Sequence, residues 1–176
     1  LMVACAKMGM HFTACAPKEL FPEEWLVEKA RDIARETGGS VTLTEDVTQG
    51  ATDADVIYTD IWGGWCSPCK HAIKNDVPAV KEAMKGRDVI FLYFANNTSD
   101  TSWKQIIKEY KCVGPQTVHY NLPHEQQKAV EAVLRQGGYP SYGLFDKEGR
   151  LVTKEAPDPV FKDKLIQTLE EQLSKK

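Results

Sequence analysis

The sequence predicts an α/β protein: a mixed sheet between helices, three layers deep, extended by a βαβ segment at the N-terminus. Three observations predict it. Two strongly apolar runs, DVIYTDIW at 55–62 and DVIFLYFA at 88–95, read as strands covered on both faces. Stretches of helical periodicity alternate with these and with weaker strand signals, as in an α/β chain. The first run ends at Gly63-Gly64, and two cysteines two residues apart, Cys66 and Cys69, then open a helical stretch.

Residues 1–8 read as the tail of a helix ended by Gly9, and 11–16 as a short strand stopped by Pro17. A helix is expected over 22–37. Pro22 suits its first position, Glu23 and Glu24 its first turn, and Gly38-Gly39 its end, with Leu26, Ala30, Ile33 and Ala34 inward. Residues 41–44 form a strand, Thr44 caps a short helix after it, and 52–55 turn into the central strand. Beyond Cys69 the helix runs to about residue 85, with Ala72, Val77, Val80 and Met84 on its buried face. Pro78 should kink it, because proline removes a backbone hydrogen bond and clashes with the preceding turn.

After the strand at 88–95, Ser99 or Asp100 caps a helix through Tyr110 with Trp103, Ile106, Ile107 and Tyr110 inward. Residues 116–121 are a short strand. Its His119 reads as a surface or satisfied residue rather than a ligand. A helix over 124–136 turns Ala129, Val130, Val133 and Leu134 inward and ends at Gly137-Gly138. Residues 141–146 and 150–155 make a hairpin. Asp158 and Pro159 open a last helix whose apolar face is Val160, Phe161, Leu165, Ile166, Leu169 and Leu173.

Bulk properties narrow the function. The chain has 176 residues and a net charge of −3, with no basic block, which argues against nucleic acid as a partner. No apolar run approaches the length of a membrane span. The N-terminus has no charged start and no long apolar core, so no targeting segment is expected, and location stays open. Five cysteines cannot all pair within one chain, and Cys5, Cys15 and Cys112 read as packing residues.

The chemistry concentrates at Cys66 and Cys69. The first N–H groups of a helix lack partners, and the helix dipole favours negative charge there. A thiolate is stabilised at such a point, and the thiolate is the form that attacks disulfides. C-x-x-C beside a β/α pattern is the sequence signal of a thioredoxin-like redox motif. A structural zinc site and a pair of inert thiols are the alternatives. Zinc needs four ligands, and although His71 is near, no fourth ligand is apparent.

This stretch resembles the active-site segment of the thioredoxin superfamily: an apolar strand, an aspartate, then W-C-x-P-C. Trp65, Cys66, Pro68 and Cys69 match, as does Asp60, six residues before Cys66. Gly138-Tyr139-Pro140 resembles the family's cis-proline loop, and LFDKEG at 144–149 its closing hairpin turn. The resemblance covers about residue 55 to the C-terminus and is greatest to envelope-type thiol-disulfide oxidoreductases, whose chains insert a strand and helix before the cis-proline. It implies a thioredoxin-like domain over 55–176, with Cys66 as nucleophile and Cys69 as resolving thiol. Asp60 and Pro140 would be the other catalytic residues, and Trp65 and Tyr139 would touch substrate. It implies protein thiols and disulfides as partners, no cofactor beyond the dithiol, no metal, and a monomer.

A second resemblance covers residues 1–62. LMVACAKMGM, APKELFPEEWLVEKARDIARETGGSVTLTEDV and ATDADVIYTDIW resemble the ornithine-binding domain of ornithine carbamoyltransferases, which implies a Rossmann-type segment over 1–54. In that family the strand continues D-x-W-x-S-M-G. Asp60 matches the aspartate, but Gly63, Gly64 and Trp65 replace the loop, and the carbamoyl-phosphate half is absent, so transcarbamylase activity is not expected. The two resemblances meet on one strand. The expected function is thiol-disulfide exchange through Cys-Ser-Pro-Cys. The alternative is a recombined or engineered α/β scaffold, spliced at residues 55–62, with no selected catalytic function. An amino-acid-binding module is a third reading, against which the replaced loop speaks.

Overall fold

The computed structural model describes residues 2–9, 11–15, 18, 21–45, 54–114 and 116–175. The expected stop at Pro17, the short helix after Thr44, the start of the turn into the central strand and Lys176 lie outside them. The chain divides into two compact units, Leu1–Thr52 and Asp53–Lys176.

In the first unit, α1 (Met2–Lys7), β1 (His11–Cys15), α2 (Glu24–Thr37) and β2 (Ser40–Thr44) follow one another. β1 and β2 pair in parallel, Phe12 opposite Val41, as a two-stranded sheet. Glu23 caps α2, so Pro22 precedes the helix instead of opening it. Gly38 closes it with φ +85°, where its N–H reaches the carbonyl of Ala34, a left-handed end that glycine adopts without strain. Val27, Ala30 and Ala34 are buried, and Leu26 and Ile33 flank them in a small core with Met2, Ala6 and Val41.

The second unit has a five-stranded sheet in the order β5-β4-β3-β6-β7. β3 (Val56–Trp62) is central, parallel to β4 (Val89–Ala95) and antiparallel to β6 (Ser141–Asp146). β5 (Thr117–Tyr120) takes the outer edge of β4, and β7 (Leu151–Thr153) the outer edge of β6. Six of the seven β3 residues are buried, as its near-continuous apolar run requires.

Tyr58 and Trp62 of β3, Phe91 and Tyr93 of β4, and Tyr142 and Leu144 of β6 share one core. Helices α3 (Ser67–His71), α4 (Val77–Ala83) and α7 (Lys162–Leu173) cover it, contributing Cys69, Val80, Leu165 and Leu169. α5 (Asp100–Glu109) adds Trp103. On the other face α6 (His124–Leu134) brings Leu134 against Gly143, where a β-carbon would stand 3.6 Å from a Leu134 methyl.

Three details differ from the sequence reading. The helix after the cysteines is interrupted just before Pro78. It passes through a π-helical turn, Ala72–Asp76, in which the Val77 N–H reaches back to the Ala72 carbonyl. Pro78 then sits in the first turn of α4, where a missing N–H costs little. On α6 the inward residues are Gln127, Val130, Glu131 and Leu134, whereas Ala129 and Val133 are exposed. Val160 and Phe161 are also exposed, because Pro159–Phe161 forms a 3₁₀ turn ahead of α7.

Candidate active site

β3 delivers the site. Its last residue, Trp62, is fully buried, and the chain turns at Gly63-Gly64. A side chain at either glycine would crowd its neighbours. A β-carbon on Gly63 would stand 2.6 Å from the Trp65 indole nitrogen, and one on Gly64 would stand 2.9 Å from the Thr98 methyl. The turn is closed by Cys66 N–H to the Gly63 carbonyl at 2.9 Å and anchored by Gly64 N–H to Thr98 Oγ1 at 2.8 Å.

Cys66 is the N-cap of α3, and its Sγ accepts a hydrogen bond from the Cys69 N–H at 3.2 Å. The two residues are joined as a disulfide, with Cα atoms 5.3 Å apart. Cys69 is fully enclosed and Cys66 is 4% exposed, so the outer sulfur is the first. Trp65 beside it is 55% exposed. Its indole N–H donates to the Asn96 carbonyl at 3.2 Å, and its ring meets Tyr139 edge to face at 5.1 Å. The Tyr139-Pro140 bond is cis. Trp65, Cys66, Cys69 and Tyr139 are thus brought together by the turn after β3, the start of α3 and the loop before β6, with Pro140 next to Tyr139 in the chain.

Asp60 stands two residues before Trp62 and so faces the same side of the sheet, the side α3 covers. It is 1% exposed, opposite Tyr93 on β4 and Tyr142 on β6. Among the described residues neither carboxylate oxygen has a hydrogen-bond partner. Burial pushes its pKa well above the usual aspartate value, and the negative charge of Asp158 adds to the shift. Asp158 caps the turn before α7. Its neighbour Pro157 accepts the Tyr58 hydroxyl at 2.9 Å, and Tyr58 stacks on Tyr142 at 5.5 Å.

His119 Nε2 lies 2.5 Å from the Cys112 carbonyl, and its ring stacks on Tyr93 at 4.6 Å. Burial lowers its pKa to about 4. Burial raises the Cys112 thiol. Among the described residues no group of three His, Cys, Asp or Glu side chains could hold a metal ion.

Sequence reasoning passed over Asn96, Thr98 and Glu131, and read Asp158 only as the opening of the last helix. Only Glu131 left a signal: it falls with Gln127 and Leu134 at helical spacing on one face of α6. Asn96 Nδ2 donates to Glu131 Oε1, and Gln127 donates to the Ala95 carbonyl at 3.0 Å.

Solved structures with this architecture include the thioredoxin domain of a thiol-disulfide oxidoreductase from Bacteroides vulgatus. It is 24% identical, with TM-score 0.56, covering 70% of this chain and 82% of that one. A thiol:disulfide interchange protein from Bacteroides sp. is also 24% identical, with TM-score 0.54, covering 68% of this chain and 74% of that one.

The second unit has a thioredoxin-like fold.

Residues 1–84 match the Asp/Orn binding domain of aspartate/ornithine carbamoyltransferases. The catabolic ornithine carbamoyltransferase of Treponema denticola is 68% identical over an alignment of 140 residues that covers 74% of this chain and 41% of that protein. The catabolic enzyme of Mycoplasma capricolum subsp. capripneumoniae is 53% identical over an alignment of 102 residues that covers 53% of this chain and 32% of that protein. The chain therefore spans about two fifths of the length of these relatives, or less. The family match takes in the stretch recognised in the sequence and runs past Trp62 to residue 84, so α3 and α4 of the thioredoxin-like unit lie inside both likenesses. No described helix is long and apolar enough to cross a membrane.

Proposed function

We propose that this protein is a thiol-disulfide oxidoreductase acting on protein disulfides through Cys66 and Cys69. The observation that carries the reading is the joined Cys66–Cys69 pair at a helix start, set directly after the central strand of a thioredoxin-like sheet. In the reduced protein the Cys66 thiolate attacks one sulfur of the substrate disulfide. A mixed disulfide forms, and the other substrate sulfur leaves as a thiolate and takes up a proton. The Cys69 thiolate then attacks Cys66 Sγ, which releases the second substrate sulfur and re-forms the Cys66–Cys69 bond. Two electrons and two protons pass from the protein dithiol to the substrate.

The residues around the pair take supporting roles. Asp60, whose pKa burial raises, exchanges a proton with Cys69. Trp65 and Tyr139 shield the sulfurs and contact an extended substrate segment, and Pro140 shapes the loop that receives it. The dithiol serves as the redox group, with no further cofactor.

The test is insulin reduction with dithiothreitol as electron donor, run beside Cys66→Ser. Turnover lost in the variant supports Cys66 as nucleophile. A folded wild-type protein that turns over no faster than the variant overturns the reading. It would leave the recombined scaffold ahead, a reading favoured by the meeting of two family likenesses across β3.

A further inference from the structure

We infer that Glu131 is a positioning residue for polypeptide substrates: it holds Trp65 and Tyr139 against each other as the wall beside Cys66. This rests on the thiol-disulfide reading above. Five contacts form a closed circuit. Trp65 Nε1–H donates to the Asn96 carbonyl at 3.2 Å. The Asn96 side-chain amide donates to Glu131 Oε1. Arg135, one turn on along α6, links the Glu131 carboxylate to the Tyr139 ring. The Tyr139 ring returns to the Trp65 indole at 5.1 Å.

The circuit joins four separate parts of the fold: the turn after β3, the loop after β4, helix α6 and the loop before β6. Glu131 is the place where they converge. Its side chain is only 16% exposed, and its other oxygen lies 4.0 Å from the Arg135 guanidinium, which sits 5.4 Å over the Tyr139 ring. An amide and a guanidinium thus address one carboxylate. Hydrogen bonds to a charged acceptor are stronger than neutral ones, and their loss leaves donors without an acceptor.

Trp65 needs such a support. At 55% exposure it is not fixed by burial, and its remaining restraints are the bond to Asn96 and the edge contact with Tyr139. Asn96 is itself well fixed: its N–H reaches the Trp62 carbonyl at 2.6 Å, and its carbonyl accepts the Thr98 hydroxyl at 2.7 Å. The aromatic pair is therefore the less restrained part, and Glu131 is its tie to α6. A wall held in place before binding spares an extended peptide the cost of ordering it. A small disulfide that reaches only the sulfurs gains little from it.

The experiment compares Glu131→Ala with Glu131→Gln, which keeps an oxygen acceptor, on insulin and on 2-hydroxyethyl disulfide. A parallel acrylamide-quenching measurement uses a Trp25→Phe background. Trp62 and Trp103 are buried, so Trp65 is then the quenchable indole. Glu131→Ala should raise the KM for insulin roughly ten-fold, as the loss of a charge-assisted contact implies. It should slow the small disulfide much less and increase quenching of Trp65, while Glu131→Gln recovers most of each effect. Unchanged insulin KM and unchanged quenching in an active protein overturn the role and leave the thiol-disulfide reading standing. Equal slowing of both substrates marks a purely structural residue and overturns it too. A wild-type protein that reduces neither substrate removes the thiol-disulfide reading and this role together.

Discussion

Replacing Asp60 by asparagine should make the protein more stable, and by an amount that grows with pH. In the unfolded chain Asp60 titrates near the ordinary value, about 3.9. In the fold burial first, and Asp158 second, hold its pKa well above that. Between those two pKa values the native state binds one more proton than the unfolded state. The contribution of Asp60 is therefore fully present below about pH 4 and is lost as pH rises through the folded pKa. The slope for one proton is about 1.4 kcal/mol per pH unit. Asparagine has no such slope. As pH rises from about 4 towards the folded pKa, the advantage of Asp60→Asn should grow at up to about that slope.

The assay is urea unfolding of the oxidised protein, so that Cys66 and Cys69 do not titrate, followed by tryptophan fluorescence in a Trp25→Phe background. The remaining indoles, Trp62, Trp65 and Trp103, all lie in the thioredoxin-like unit. His119, whose pKa falls to about 4, has a pH dependence of its own, but it is common to both proteins and cancels in the difference. Stability curves that run parallel from pH 4.5 to 6.5 would refute the reasoning, since they would mean that Asp60 finds a compensating partner in the fold.

Two further substitutions test the packing. Gly143→Ala places a β-carbon 2.7 Å from Thr59 Oγ1 and should cost about 1–3 kcal/mol in the urea unfolding free energy, as overpacking does. Leu169→Ala empties a fully enclosed position between α7 and the sheet and should cost about 2–5 kcal/mol by the same measurement.

The central strands were legible because burial on both faces leaves an unbroken apolar run, and β3 and β4 carry the longest ones. The cysteine turn was legible because a glycine pair and a C-x-x-C motif both need local geometry that few other sequences supply. The order of the sheet came with the family resemblance and not from the pattern of apolar residues. What stayed hidden was polar burial. The reading of α6 ranked positions by hydrophobicity and so chose Ala129 and Val133. The helix instead turns Gln127 and Glu131 inward, because the loop after β4 presents the Ala95 carbonyl, the Asn97 N–H and the Asn96 amide to them. Val160 and Phe161 were misread for a different reason. A 3₁₀ turn has three residues per turn, so the helical stripe drawn from Leu165 backwards loses its register before reaching them.

The transcarbamylase-like match and the thioredoxin-like fold share β3 and the helices after it, so the strand itself cannot decide the chemistry. A buried parallel strand followed by a tight turn and a helix recurs across α/β proteins with unrelated activities. The turn carries the difference. Where the sequence resembles ornithine carbamoyltransferases, the strand would run on into D-x-W-x-S-M-G. Here Asp60 is kept, but Gly63, Gly64, Trp65 and Cys66 follow, and Asp60 is sealed beneath aromatic side chains with no hydrogen-bond partner among the described residues. A carboxylate in that state cannot reach an amino-acid ligand from solvent. It can hold a proton next to the layer that contains Cys69. The residues that close over this aspartate thus take it out of reach of a ligand in solvent.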